Sequence, residues 1–132
     1  MECKVLIVDD DPIIRRKTKE ILDRYQISAC AVESGWACIE MFQNGFRGLV
    51  LMDASMPDLD GWDTVARLVE EGYMDCAMIC MLTGQSEPSH KMASLKEYVI
   101  DYILKPFSID NLVSTVQNYV SYFQDHYDKC SD

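Results

Sequence analysis

The chain has 132 residues, with 12 Lys and Arg against 22 Asp and Glu, giving a formal charge of −10. That length suits one compact domain, 48% hydrophobic residues supply a core, and 6 Gly and 4 Pro are too few for a low-complexity chain. The acidic balance argues against direct nucleic-acid binding, and the longest apolar run, Cys76 to Leu82, falls far short of the roughly 20 residues a bilayer asks for.

The first strand is expected over residues 3–8. Asp11 then caps a helix with Pro12 in its first turn, and Ile14, Thr18, Ile21, Leu22 and Tyr25 line one face. A second strand over residues 27–32 leads to a helix capped by Ser34. That helix turns Cys38, Ile39 and Phe42 inward and stops at Asn44-Gly45. The third strand, residues 48–52, is followed by a helix using Trp62, Val65, Ala66 and Val69 and ending near Gly72. The fourth strand covers residues 76–82. Its helix is weak: Pro88 opens it, and Met92, Leu95 and Val99 give a thin stripe. The fifth strand, residues 100–104, precedes the clearest helix. Ser108 caps it, and Ile109, Leu112, Val113, Val116, Tyr119, Val120 and Phe123 keep a period near 3.6.

The strands are continuous apolar runs, as expected when both faces of a sheet are covered. Five strands alternating with five helices predict an α/β fold, a (βα)5 doubly wound parallel sheet. The domain is expected over 1–127, with 128–132 a short polar tail. Six cysteines without CxxC spacing, and no secretion signal at Met1-Glu2-Cys3-Lys4, predict reduced thiols, no zinc site and a cytoplasmic location. His90 and His126 are isolated and read as surface residues.

In such folds the site lies beyond the carboxyl ends of the strands. Strand 1 ends in Asp9-Asp10-Asp11, strand 3 in Asp53, strand 4 in Thr83-Gly84 and strand 5 in Lys105-Pro106. Neighbouring carboxylates repel one another unless a cation sits among them, and hard oxygen ligands in small number suit Mg²⁺. A lysine and a hydroxyl at the same edge suit a phosphoryl group, with Asp53 as nucleophile. Asp9 to Asp11 taken alone would be an ordinary helix cap; the register with Asp53, Thr83 and Lys105 argues for chemistry.

Four segments, Val5 to Asp11, Leu51 to Gly61, Met81 to Gly84 and Asp101 to Phe107, together resemble the receiver domain of two-component response regulators of the CheY type. The resemblance covers residues 3–124 and implies a flavodoxin-like strand order 2-1-3-4-5, an order for which CheY is itself a standard example. It implies Asp53 as phospho-acceptor and Asp10 and Asp53 as Mg²⁺ ligands with the backbone carbonyl of Ser55. Asp9 acts through metal-bound water, Lys105 pairs with phosphoryl oxygens, and Thr83 and Tyr102 form a switch pair. A cis Lys105-Pro106 bond follows from the same likeness. Ser55 and Gln85 occupy positions resembling those that tune autodephosphorylation. The family's usual Gly-Ala before the last strand is replaced by Tyr98-Val99, so a non-Gly residue is expected to end the fourth helix.

The function implied is a phospho-accepting switch, regulatory and not a dedicated enzyme. A histidine kinase or histidine phosphotransfer protein would be the donor. The downstream partner is unknown, and a homodimer through the surface of the fourth helix, fifth strand and fifth helix is possible. The basic run Arg15, Arg16, Lys17 and Lys19 reads either as a solvated helix face or as the donor's docking surface. A flavodoxin-like FMN carrier is the rival on the same topology, although Asp9 to Asp11 would repel its phosphate. A receiver fragment of a larger hybrid protein is the other alternative. Trp36 and Trp62 read as core or partly covered surface. Tyr119, Tyr122, Phe123 and Tyr127 crowd the last helix and could face a partner.

Overall fold

The computed structural model describes residues 3–84 and 94–127. Five parallel strands stand in the order β2-β1-β3-β4-β5: β1 Val5–Val8, β2 Ala29–Val32, β3 Gly48–Asp53, β4 Ala77–Thr83 and β5 Val99–Leu104. The order is the one the family likeness implied. Each strand's carboxyl end therefore emerges on one edge of the sheet. The helices that lie wholly among the described residues are α1 Pro12–Arg24, α2 Gly35–Gln43, α3 Gly61–Glu70 and α4 Ile109–His126, the last being the fifth helix of the sequence reading.

Side-chain alternation along the strands divides the core in two. Leu6, Val8, Val50, Met52, Ile79 and Met81 face α2 and α3. Val5, Ile7, Leu49, Leu51, Met78, Cys80 and Leu82 face the other layer, with Ile21 and Leu22 of α1 and Leu112, Val113 and Val116 of α4. β1 and β3 are buried throughout, which is why their sequences are continuously apolar.

The caps follow the sequence. Asp11 accepts from the amides of Ile13 and Ile14, Ser34 from Ala37 and Ser108 from Asn111. α2 stops at Asn44, followed by Gly45 at φ 106°. Asp60 caps α3 by accepting from Asp63 at 2.8 Å. Gly61 behind it is required, since a Cβ there would run into the carbonyl oxygen of Asp53.

Two expectations change. Cys3 and Cys30 are joined by a disulfide, Cα to Cα 5.9 Å, and Cys76 is also disulfide-bonded, so these thiols are not reduced. Parallel pairing of β1 with β2 brings together two cysteines 27 residues apart, which sequence spacing does not reveal. Cys38 and Cys80 are free, and burial pushes both thiols up to about 12. Val99 is not part of the fourth helix's stripe: Ser94 and Leu95 are helical, Lys96–Tyr98 continues them as a 3-10 turn ending on the non-Gly Tyr98, and Val99 opens β5. The start of the expected fourth helix, with Pro88, His90 and Met92, and also Gln85, lies outside the described residues. Among the described residues, no helix is long and apolar enough to cross a membrane.

Candidate phospho-acceptor site

Asp9 follows β1, Asp53 ends β3 and Lys105 follows β5, so the parallel register delivers all of them to one edge. Carboxylate oxygens of Asp9, Asp10 and Asp53 lie within 4.8 Å of one another, with Asp9 and Asp53 buried and Asp10 exposed. The Lys105 ammonium donates to Asp9 Oδ2 at 3.0 Å and stands 3.4 Å from Asp53 Oδ1. The Lys105-Pro106 peptide bond is cis. Its backbone is fixed as well, because Lys105 N donates to Thr83 O at 2.8 Å.

Asp9 is saturated. Its N–H donates to Val32 O, Oδ1 accepts from Asp11 N at 3.0 Å, and Oδ2 accepts from Lys105. Asp53 Oδ1 accepts from Ser55 N at 3.1 Å. The loop from Asp53 to α3 is pinned by Ala54 N to Leu82 O and Gly61 N to Ala54 O.

The charges are strained in the way the sequence suggested. Burial pushes the Asp53 carboxyl up to about 6; the Ser55 amide opposes this, Asp9's charge adds to it, Lys105 opposes it and a bond with Asp10 adds again. Burial pulls the Lys105 ammonium down, but its bond to Asp9 and the charges of Asp53 and Asp9 outweigh this and hold it above its usual range. One ammonium thus offsets only part of three carboxylates, a donor set of hard oxygens that fits a small divalent cation. The open side is at exposed Asp10.

Thr83 ends β4 and pairs with Leu104, while Tyr102 pairs with Met81. Alternation puts Thr83, Met81 and Tyr102 on the α2/α3 face of the sheet. Tyr102 is half-buried there, its ring centroid 6.3 Å from that of Trp62 on α3.

A family model of the response regulator receiver domain matches residues 5–117. The chain belongs to that family. This receiver domain is 36% identical to a CheY-like receiver domain protein of Methanospirillum hungatei JF-1, whose crystal structure superposes with a TM-score of 0.88 over 96% of this chain and 100% of that one. It is 30% identical to the transcriptional regulatory protein SrrA of Staphylococcus aureus, over 89% of this chain and 47% of SrrA. It is 29% identical to a probable cyclic di-GMP phosphodiesterase of Vibrio cholerae, over 90% of this chain and 27% of that protein. The receiver domain therefore spans about half or less of the length of these two curated relatives.

The basic run on α1 divides. Arg15 turns inward and its Nη1 donates to Asp9 O at 2.8 Å, while Lys19 pairs with Asp23 at 3.1 Å. Arg16 and Lys17 stay exposed and, with Ile13, Glu20, Arg24 and Ile109, line a groove between α1 and the start of α4. Trp62 is buried, whereas Trp36 is exposed with the Arg67 guanidinium 5.1 Å from its ring. Sequence reading missed the Arg15 contact and the Trp62 neighbour of Tyr102. Arg15 lies one turn beyond the Asp11 cap, and that spacing was the available signal.

Proposed function

We propose that the receiver domain, spanning 1–127 with 128–132 as a tail, accepts a phosphoryl group on Asp53. The donor is a phosphohistidine of a histidine kinase or phosphotransfer protein. The P–N bond to imidazole breaks and a P–O bond to an Asp53 carboxylate oxygen forms. The observation that carries this reading is Lys105 Nζ lying within 3.4 Å of both Asp9 and Asp53 at the head of the three-carboxylate cluster. An ammonium so placed meets the equatorial oxygens of a phosphoryl group on Asp53 and offsets their charge.

Asp10 and Asp53, with the Ser55 carbonyl, would hold Mg²⁺, and Asp9 would act through bound water. The ion would supply charge neutralisation at the phosphoryl oxygens. Asp9, fully buried and bonded on both carboxylate oxygens, orients Lys105. Thr83 would donate its hydroxyl to the new phosphate, and Tyr102 would follow it inward against Trp62. The face formed by β5 and α4 would then favour a different partner or a second copy. Hydrolysis of the acyl phosphate by the domain itself resets the switch. The groove of Arg16, Lys17 and Ile13 offers a donor protein a basic and apolar seat beside the site.

The test is incubation with acetyl phosphate and Mg²⁺, followed by intact-mass and peptide-level mass spectrometry. One phosphate per chain on Asp53 is expected, absent in Asp53→Asn and with EDTA. A full phosphate load in Asp53→Asn overturns the assignment. The three carboxylates at the strand ends would repel the phosphate of FMN, so the purified protein is expected to be colourless, and a yellow protein would revive the flavin reading.

A further inference from the structure

We propose that Arg15 is a positioning residue of the acceptor site and not part of the donor's docking surface. The inference rests on the reading of Asp9, Asp10 and Asp53 as a divalent-cation site. Arg15 is half-buried and turned towards β1, while its neighbours Arg16 and Lys17 are exposed and Lys19 pairs along the helix with Asp23. Its Nη1 donates to the backbone oxygen of Asp9 at 2.8 Å, a bond short enough to be charge-assisted.

That oxygen belongs to the peptide unit joining Asp9 to Asp10. The peptide is planar, so clamping its carbonyl also fixes the Asp10 N–H and the position of the Asp10 Cα from which the side chain departs. Asp9 is already held at its own amide by Val32 and at its carboxylate by Asp11 and Lys105. Asp10 is exposed, with its carboxylate brought near Asp9 and Asp53. Arg15 thus carries order from α1 across one rigid peptide to the least buried carboxylate of the cluster.

The experiment is a calorimetric Mg²⁺ titration of the unphosphorylated full chain. It compares wild type with Arg15→Met, which keeps the stem, Arg15→Lys, which keeps one charged donor, and Arg16→Met, an exposed control. Loss of a group that orients metal ligands weakens affinity by about tenfold. That loss is expected for Arg15→Met, with partial recovery in Arg15→Lys and no change beyond about twofold in Arg16→Met. Should Arg15→Met fail to fold, Arg15→Gln, which keeps a neutral N–H donor, carries the same comparison with an intermediate loss expected. Wild-type affinity in Arg15→Met, or tighter binding, overturns the role while leaving the cation site standing. Absence of Mg²⁺ binding by the wild type overturns the site and this inference together. Slowed transfer from a donor protein in Arg15→Met, with Mg²⁺ affinity unchanged, overturns it in favour of docking.

Discussion

The Tyr119 hydroxyl on α4 donates to Asp101 Oδ2 on β5 at 3.0 Å, while Asp101 Oδ1 accepts from the amide of Tyr102 at 2.8 Å. One carboxylate therefore ties the last helix to the backbone of the proposed switch residue. Tyr119→Phe removes a hydrogen bond to a charged group and is expected to cost about 1.5 kcal/mol. The urea midpoint measures that loss, and tyrosine-ring NMR should show Tyr102 sampling more than one position. An unchanged midpoint would mean that solvent satisfies Asp101 equally well.

Asp53 carries a pH signature. Its folded pKa is raised to about 6, chiefly by burial, above its ordinary value of 3.8. The folded chain therefore binds that proton more tightly than the unfolded one. The stabilising contribution is complete below about pH 4 and is lost as pH rises through about 6. Metal-free Asp53→Asn should accordingly melt about 5 °C above wild type at pH 8 and close to it at pH 4. Mg²⁺ should narrow the gap at pH 8, because a cation among the carboxylates offsets the repulsion. Equal melting temperatures at pH 8 in EDTA would contradict the charge balance described here.

The Trp62–Tyr102 contact supplies an optical readout. If Tyr102 moves on phosphorylation, the environment of buried Trp62 changes while exposed Trp36 reports little. Beryllofluoride with Mg²⁺ should shift tryptophan emission in wild type and in Trp36→Phe. The shift should vanish in Trp62→Phe and be reduced in Thr83→Ala, which is still expected to accept phosphate on Asp53. An identical shift in Thr83→Ala and wild type would separate the two halves of the switch.

Donor recognition can be tested on the groove side of α1. Arg16→Glu with Lys17→Glu should slow phosphotransfer from a cognate phosphohistidine protein by about tenfold or more at low salt. The rate with acetyl phosphate should stay within about twofold, since neither side chain reaches the carboxylates. Equal slowing with both donors would mean that the substitutions disturb the site itself.

Much of this was legible because the parallel strands are mostly continuous apolar runs and four of the five end in residues that carry chemistry. Asp9, Asp53 and Lys105 could be paired from the sequence once the strands were placed, since register alone carries them to one edge. Caps at Asp11, Ser34 and Ser108 were equally plain. Long-range pairings with no periodic signal were not. The Cys3–Cys30 bond depends on how β1 lies beside β2. Arg15 looked like its exposed neighbours because the direction of a flexible side chain is decided by a carbonyl that sequence does not display. Val99 was read onto the fourth helix, whereas its β-branched side chain is instead taken up by the edge strand.

The ion pair between Lys105 and Asp9 spans 96 residues, most of the domain. Contacts of such separation form late, because loop closure must precede their reward. During synthesis Asp9, Asp10 and Asp53 leave the ribosome well before their counter-charge. A chain whose last strand has not docked holds three unneutralised acids on an incomplete sheet and should receive no phosphate. Competence to carry the signal is in this way tied to completion of folding: a nascent or C-terminally truncated chain stays silent where it could otherwise report falsely.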